Sequence, residues 1–414
     1  MLPAKHTLGR VALVLTSNAV GFVVSMGSIL ILARHLSVET FGGYSIMLSV
    51  QAFGLILINA FSPGMLLHLN RSPDTAKQAE ATGFRLRLGA GFLVAFVAMS
   101  AGGLLSDWLH PGSHLWPAYA LLGMTSFSQG LENHILQVQQ SRDRFKAYAF
   151  VFMGTRLLKL GGLALLLEIG QLGLMQIFLV LFLGQMVVLA PFWKILRNGL
   201  DPAYWDGKLA LVLLKNTAWT LTTGLVVFAS TRINLFLINH NFPKDQVGYY
   251  GFTETMLGSL LLLSQAIMAV AAPKIMGPHV EKNLMRLCGF SAALGVAYLI
   301  VVMAAMFAAG PLVALVFGTK YGRSVDLFMV MGFGTACAMA AAAPVALLHR
   351  LGRTSWILGL ESAGVAVLIL ADFFLLNRLG IAGAAWAFTI SRMTFLTAAV
   401  LALTMAARVS RAKS

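Results

Sequence analysis

Basic residues stand inside long apolar runs of this sequence. Arg156 and Lys159 lie three residues apart in one run, and Arg392 lies near the middle of another. A charged side chain at the centre of a membrane-spanning helix costs about 2.5–3.5 kcal/mol on insertion scales, so such residues are functional candidates by default. Cations that line a water-filled cavity would receive an anionic substrate. The pattern therefore predicts an anion-binding wall, with Arg232 as a further candidate nearer to one surface.

The alternative for each cation is a structural ion pair with a carboxylate on a neighbouring helix. Glu132 is one such partner, because it shares a polar helix face with Thr125 and Ser128. Glu254 and Glu361 also lie inside apolar runs. A carboxylate in a medium of low dielectric constant can exchange a proton or bind a cation. These three acids are the candidates for ion coupling, and structural pairing stays open for each.

The charges are not accompanied by a catalytic or nucleotide-binding motif. The sequence has no glycine-rich phosphate loop with Lys, no His and carboxylate cluster at metal-ligand spacing and no nucleophile elbow. Its two cysteines, Cys288 and Cys337, suggest neither a disulfide framework nor a metal site. We therefore expect no enzyme activity, no cofactor and no metal, and transport without an ATPase of its own.

The elements that position these residues are membrane-spanning helices. Apolar residues make up 58% of the 414 residues and charged residues 11%, and the mean hydropathy is +0.81. Because a run of about 20 apolar residues crosses a bilayer, we predict an all-α polytopic membrane protein with twelve spans. They lie near residues 11–33, 43–68, 88–106, 115–138, 148–167, 172–192, 211–237, 248–272, 287–308, 325–348, 355–376 and 381–404.

The net charge of +15 reflects membrane topology and does not indicate nucleic-acid binding. With the N-terminus in the cytoplasm, 20 of the 30 Lys and Arg residues fall in cytoplasmic segments, five in outer segments and five within the spans. Basic residues concentrate in cytoplasmic loops. We therefore predict that both termini are cytoplasmic.

An internal repeat relates the two halves of the chain. The stretch RHLSVETFGGY at residues 34–44 is echoed about 206 residues later by FPKDQVGYY at residues 242–250. Six predicted spans per half make both halves enter from the same side, which predicts two parallel six-helix bundles related by a pseudo-two-fold axis along the membrane normal. We interpret each copy as a turn between the first two helices of its bundle, with Gly42 and Gly248 permitting a tight reversal.

The repeat predicts an N-terminal bundle at residues 1–195, a cytoplasmic interfacial linker at 196–210 and a C-terminal bundle at 211–414. The first helix of each bundle carries small and hydroxylated residues on one face, which would line a substrate path. These residues are Ser17, Ser25 and Ser28 in the first bundle and Asn216, Thr220, Thr223 and Asn234 in the second.

The first copy of the repeat and the twelve spans resemble a known family. The first span ends in R-x-L and is followed by a short acidic loop and F-G-x-Y, here Arg34, Leu36, Glu39, Phe41, Gly42 and Tyr44. This pattern is similar to the polysaccharide transporter (O-antigen flippase) branch of the multidrug/oligosaccharidyl-lipid/polysaccharide (MOP) exporter superfamily. Residues 317–321, 350–353 and 380–385 also resemble the second half of that family. The chain lacks an acidic residue in span 1 and two further C-terminal spans, which favours this branch over multidrug and lipid II transporters.

The resemblance implies a V-shaped arrangement of the two bundles and a secondary-type flippase that works by alternating access. Its implied substrate is an undecaprenyl-pyrophosphate-linked oligosaccharide, moved from the inner to the outer leaflet of the bacterial inner membrane for lipopolysaccharide O-antigen or exopolysaccharide biosynthesis. By position and type, Arg156, Lys159, Arg392 and Arg232 would receive the pyrophosphate. The implied partners are membrane lipids and glycan polymerase or ligase components.

Two other functions fit parts of the sequence. A cation-coupled multidrug antiporter of the same fold would need an acidic and aromatic cavity, whereas the charge inside the spans is mainly basic. A membrane glycan polymerase or ligase would need a large outer loop, and no predicted outer loop exceeds about 20 residues, already long beside usual helix connections. The flippase is therefore the favoured function.

Overall fold

The computed structural model describes residues 4–71, 75–275, 292–301, 319–350 and 353–411, together with positions 289, 290, 303, 304 and 317. Within these residues the chain forms helices joined by short connections and no strand, which confirms the predicted all-α class. The helices are α1 (Ala4–His35), α2 (Val38–Asn59), α3 (Ser62–Arg71), α4 (Ala76–Ser100), α5 (Gly102–Leu109), α6 (Trp116–Ser141), α7 (Phe145–Glu168), α8 (Leu174–Leu189), α9 (Trp193–Gly199), α10 (Gly207–Asn241), α11 (Lys244–Ile275), α12 (Ala292–Val301), α13 (Gly322–Ala340), α14 (Ala342–Arg350), α15 (Thr354–Leu379) and α16 (Ile381–Arg411).

Nine segments within the described ranges are long and apolar enough to cross a membrane, so the chain is a multi-pass membrane protein. Helix α6, at the fourth predicted span, is not among them because it carries many polar residues, including Glu132 and His134. Part of the ninth predicted span, including Cys288, lies outside the described residues. The count of twelve spans remains a prediction.

Two predicted spans are interrupted just before a proline. The run at 43–68 divides into α2 and α3, with Pro63 as the second residue of α3. The run at 325–348 divides into α13 and α14, with Pro344 as the third residue of α14. Proline lacks the N–H group that a helix interior needs and is tolerated in the first turn. Each helix therefore starts anew where hydropathy alone predicts a continuous span.

Gly42 and Gly248 do not form the reversals that the sequence interpretation assigned to them. Both lie inside helices, α2 and α11, and neither is among the described glycines with positive φ. Their role is a close approach of two backbones. A methyl group placed at Gly42 would lie 2.8 Å from the backbone nitrogen of Gly248, a separation that real Cβ atoms essentially never show. Each copy of the repeat does contain the connection between two helices, at residues 36–37 and 242–243. The role assigned to the two glycines was wrong, because they mark a helix–helix contact and not the reversal.

The chain divides into two compact units. The first comprises Met1–Leu36 and Ile46–Leu225, and the second comprises Ser37–Ser45 and Val226–Ser414. Helices α2 and α10 therefore each contribute to both units. The division into bundles at residues 196–210 remains a prediction.

The predicted linker is a folded segment of the first unit. It contains the end of α9 and a 3-10 turn, Pro202–Tyr204. Arg85 of α4 donates from Nη2 to the carbonyl of Leu200 at 2.6 Å and from Nε to the carbonyl of Gly199 at 3.2 Å. Two charge-assisted hydrogen bonds thus fix the segment to α4.

Candidate functional site

Arg156 lies half-buried on α7, where that helix packs against α1. The Cζ atom of its guanidinium lies 3.5 Å from the centroid of the Phe152 ring, and its Nη1 donates to the Phe152 carbonyl at 2.7 Å. Tyr148, one turn earlier, stacks on the same ring with centroids 5.8 Å apart and planes 11° apart. Tyr148, Phe152 and Arg156 therefore form a continuous stack along one side of α7.

Two hydrogen-bond donor groups of the Arg156 guanidinium are not used within the described part of the chain. Glu132 of α6 lies near enough for its charge to attract that of Arg156, but the described residues contain no salt bridge between them. The Nε and Nη2 groups of Arg156 make no hydrogen bond within the described part of the chain. These donors could bind two oxygens of a phosphate or pyrophosphate, the geometry for which a guanidinium is suited.

Glu132 is held by neutral partners in the interior of the first unit. Its Oε1 accepts a hydrogen bond from Oγ1 of Thr155 at 3.0 Å, and its Oε2 accepts one from Nε2 of Gln185 at 3.4 Å. Ser128 in turn donates to Oε1 of Gln185. This network joins α6, α7 and α8. The sequence identified Glu132 and Ser128 as one polar helix face, but the direct ion pair with Arg156 is not formed.

Arg392 is engaged from two sides in the second unit. Its side chain on α16 is buried, and Nη2 donates to the backbone carbonyl of Ser230 at 2.9 Å and to the Ser230 hydroxyl at 3.1 Å. Its Nη1 lies 3.7 Å from Oε2 of Glu361 on α15. The candidate cation and the candidate coupling acid are therefore partners in one ion pair that joins α10, α15 and α16.

Arg232 and Glu254 form a second ion pair in the same unit. Nη1 of Arg232, on α10, lies 2.9 Å from Oε1 of Glu254 on α11. The other carboxylate oxygen, Oε2, has no hydrogen-bond partner among the described residues. Two of the four candidate substrate-binding cations are therefore each paired with a candidate ion-coupling acid. This arrangement agrees with the alternative in which the charges form structural ion pairs.

Lys159 lies half-buried on α7, three residues after Arg156.

The hydroxyl groups that were predicted to line a substrate path form hydrogen bonds mainly with backbone carbonyls of their own helices. Ser17 and Ser28 are buried and donate to the carbonyls of Leu13 and Val24. Thr220 and Thr223 donate to the carbonyls of Asn216 and Trp219, Asn216 is exposed, and Ser25 is half-buried.

Asn234 belongs to the second unit and is buried there. Its Nδ2 donates to the Tyr250 hydroxyl at 3.1 Å and to the Ala384 carbonyl at 2.9 Å. All the other predicted lining residues belong to the first unit. Whether this set lines a substrate path remains a prediction.

Two buried charges were missed at the ends of apolar runs. Arg87, just before the third predicted span, is only 2% exposed on α4, where it donates to Ser62 and to Gln137. Asp372, near the end of the eleventh predicted span, is 3% exposed on α15, and neither carboxylate oxygen has a hydrogen-bond partner among the described residues. A position near a run end predicts exposure, and only the packed helices show otherwise.

No group of three or more His, Cys, Asp or Glu residues that could hold a metal ion occurs in the described ranges.

Solved structures with similar folds are membrane transporters. A multidrug resistance MATE family transporter of the MOP superfamily, in an inward-facing conformation, matches with a TM-score of 0.72 at 13% identity over 95% of this chain and 96% of the other. The lipid II flippase MurJ, in an inward closed conformation, matches with a TM-score of 0.72 at 12% identity over 96% and 87%. The MATE multidrug transporter DinF-BH matches with a TM-score of 0.65 at 15% identity over 98% and 96%. Identities this low establish a shared fold and no more.

Sequence comparison identifies the family. A search of curated proteins finds no match. The family model described as polysaccharide biosynthesis protein matches residues 31–326, well over half of the chain. Together with the fold, this match confirms the resemblance on which the sequence interpretation relied. The chain belongs to the polysaccharide biosynthesis protein family, and it shares its fold with a MATE family transporter of the MOP superfamily and with a lipid II flippase.

Proposed function

We propose that this protein is a flippase that moves an undecaprenyl-pyrophosphate-linked oligosaccharide from the inner to the outer leaflet of a bacterial inner membrane by alternating access. The polysaccharide family match and the fold similarity to a lipid II flippase support a lipid-linked substrate. The proposed partners are membrane lipids and the polymerase or ligase that would use the flipped glycan in O-antigen or exopolysaccharide synthesis.

The observation that carries the proposal is the state of Arg156. It is half-buried, braced by the Phe152 ring, and its Nε and Nη2 make no hydrogen bond within the described residues. A guanidinium with two available donors is suited to a bidentate anion, and a pyrophosphate supplies several oxygens. Lys159 stands on the same helix and is proposed as the second cation of the site. Transfer of each negative charge outward is favoured by about 2.3 kcal/mol per 100 mV of inside-negative potential.

The paired cations have a different proposed role. Arg232 with Glu254 and Arg392 with Glu361 stabilise the second unit, so that neither arginine needs a substrate to balance its charge. Ion coupling through either acid would require its pair to open. The acids therefore remain candidates for coupling, secondary to their structural role.

A multidrug antiporter is the second candidate function, because two of the solved structures with similar folds are of multidrug transporters. The unpaired donors of Arg156 argue against a cationic drug at that position, since like charges repel. Dye efflux from intact cells separates the two functions. Efflux of cationic dyes that depends on this protein would favour the antiporter, and we expect none.

Replacement of Arg156 by Gln tests the anion site. Purified protein is titrated with farnesyl pyrophosphate, which carries the proposed anionic group on a short lipid. The variant is expected to raise Kd about 10- to 100-fold, because hydrogen bonds to a charged group contribute about 1.5–3 kcal/mol. Lys146→Gln is the matched control, since Lys146 is an exposed cation near the start of the same helix. Equal Kd values for Arg156→Gln and wild type would show that Arg156 does not bind the anion.

A further inference from the structure

We infer that Gly21 of α1 is a positioning residue for the Arg156 guanidinium, an inference that rests on the proposed function. Gly21 is buried inside α1, and it is not among the described glycines with positive φ. The backbone there does not require glycine. Glycine in a helix interior is about 1 kcal/mol less favourable than alanine, so its presence indicates a need for space.

The space at Gly21 is occupied by the Phe152–Arg156 stack of α7. A methyl group at Gly21 would lie 2.7 Å from Cε1 of Phe152 and 3.2 Å from Cδ of Arg156. The first separation is shorter than real Cβ contacts, and the second is tighter than most. The edge of the phenyl ring and the stem of the arginine therefore both depend on the missing side chain.

The phenyl ring cannot retreat freely from such a methyl group. Tyr148 stacks on it in near-parallel geometry, and the guanidinium of Arg156 lies over it. Displacing the ring would therefore move the guanidinium with it. Because Nη1 is bonded to the Phe152 carbonyl, the direction of Nε and Nη2 is fixed by the same contacts. Gly21 thus sets where the two donors point.

Gly21 lies on the α1 face that carries Ser17 and Ser25, four residues from each of them. From the sequence, that face was predicted to line a substrate path. The structure assigns the Gly21 position to a ring of α7. Gly27, also on α1, is a natural comparison, because a methyl group there would lie an ordinary 3.4 Å from Leu160.

The test is a set of binding titrations with farnesyl pyrophosphate on the full-length protein. Gly21→Ala is expected to raise Kd about tenfold, whereas Gly27→Ala should leave it within about twofold, the difference corresponding to one misdirected charge-assisted hydrogen bond. In a Phe152→Leu background the closest contact, with the ring, is gone and only the milder contact with the Arg156 stem remains, so the further addition of Gly21→Ala should raise Kd by clearly less than it does in wild type. Thermal unfolding of each variant reports any general loss of stability.

The outcomes separate the inference from the proposed function. If Arg156→Gln weakens binding but Gly21→Ala matches Gly27→Ala, the positioning role is wrong while the anion site stands. If wild type fails to bind farnesyl pyrophosphate, the anion site itself is wrong. If Gly21→Ala weakens binding equally in the Phe152→Leu background, the residue does not act through the ring and the inference fails. Should Gly21→Ala not fold, Phe152→Leu alone decides: a Kd raised severalfold supports the ring as the platform, and an unchanged Kd overturns it.

Discussion

Replacement of Arg392 by Gln is expected to destabilise the protein by about 3–5 kcal/mol, the usual effect of removing one partner of a buried ion pair. Glu361 would keep a charge in the helix interior without its cation, and Ser230 would lose the donor that its carbonyl and hydroxyl share. The loss should appear as a lower unfolding temperature of the purified protein in detergent. Arg378→Gln, at an exposed position of α15, should leave that temperature nearly unchanged.

The double variant Arg392→Gln with Glu361→Gln separates pairing from substrate binding. Removing both charges should restore most of the lost stability, because two neutral amides can satisfy each other where a lone carboxylate cannot. If instead Arg392→Gln unfolds at the wild-type temperature but loses affinity for farnesyl pyrophosphate, Arg392 belongs to the anion site. In that case the assignment of this pair to stability would be wrong.

Charges inside the membrane could be predicted from the sequence, but their pairing could not. Arg232, Arg392 and Glu361 stand out because the residues around them are apolar. Helical periodicity relates residues on one helix only, whereas Arg392 and Glu361 lie on α16 and α15. The contact depends on how the helices are turned towards each other. From the sequence, these residues could therefore be identified as charged residues within spans, but it could not be decided whether they line a substrate cavity or form ion pairs.

Helix ends were the least predictable part of the fold. Hydropathy placed the third span at residue 88, whereas α4 begins at Ala76. The additional turns carry Glu80 and Arg87, which are buried against polar partners. Ser62 of α3 and Gln137 of α6 accept hydrogen bonds from Arg87, and Arg142, directly after α6, pairs with Glu80. A helix that buries polar groups against its neighbours extends beyond its apolar run. Hydropathy measures the lipid-facing side and does not detect that extension.

The repeated motif contains residues typical of helix starts, but the sequence interpretation relied on its glycines and assigned a reversal to them. Ser37 precedes α2, and its hydroxyl accepts a hydrogen bond from the Thr40 backbone N–H at 3.1 Å, as an N-cap residue does. Glu39 and Asp245 lie in the first turns of α2 and α11, where the helix dipole favours a negative charge. Both helices therefore begin before the glycine, and a capping argument would have placed Gly42 and Gly248 inside them.

Replacement of Gly248 by Ala is expected to destabilise the protein by about 3 kcal/mol or more, at the upper end of the range for overpacked sites. A methyl group there would collide with the backbone carbonyl of Val38, which cannot move aside as a flexible side chain could. The beginning of α2 is also fixed by Phe41, whose ring packs edge-on against the rings of Phe252 and Tyr321. The ring centroids lie 5.9 Å and 6.0 Å apart, respectively. The expected result is poor recovery of folded protein or a much lower unfolding temperature.

Gly258→Ala on the same helix provides the control that gives this result its meaning. A methyl group at Gly258 would meet no atom within 4 Å in the described structure, and alanine favours a helix by about 1 kcal/mol over glycine. That variant should be as stable as wild type or slightly more stable. Since both substitutions remove the same backbone freedom from α11, the difference between them isolates the contact with α2. If the two variants unfold at the same temperature, the repeated glycine does not mark a close helix approach, and the recurrence of the motif in the two halves needs another physical cause.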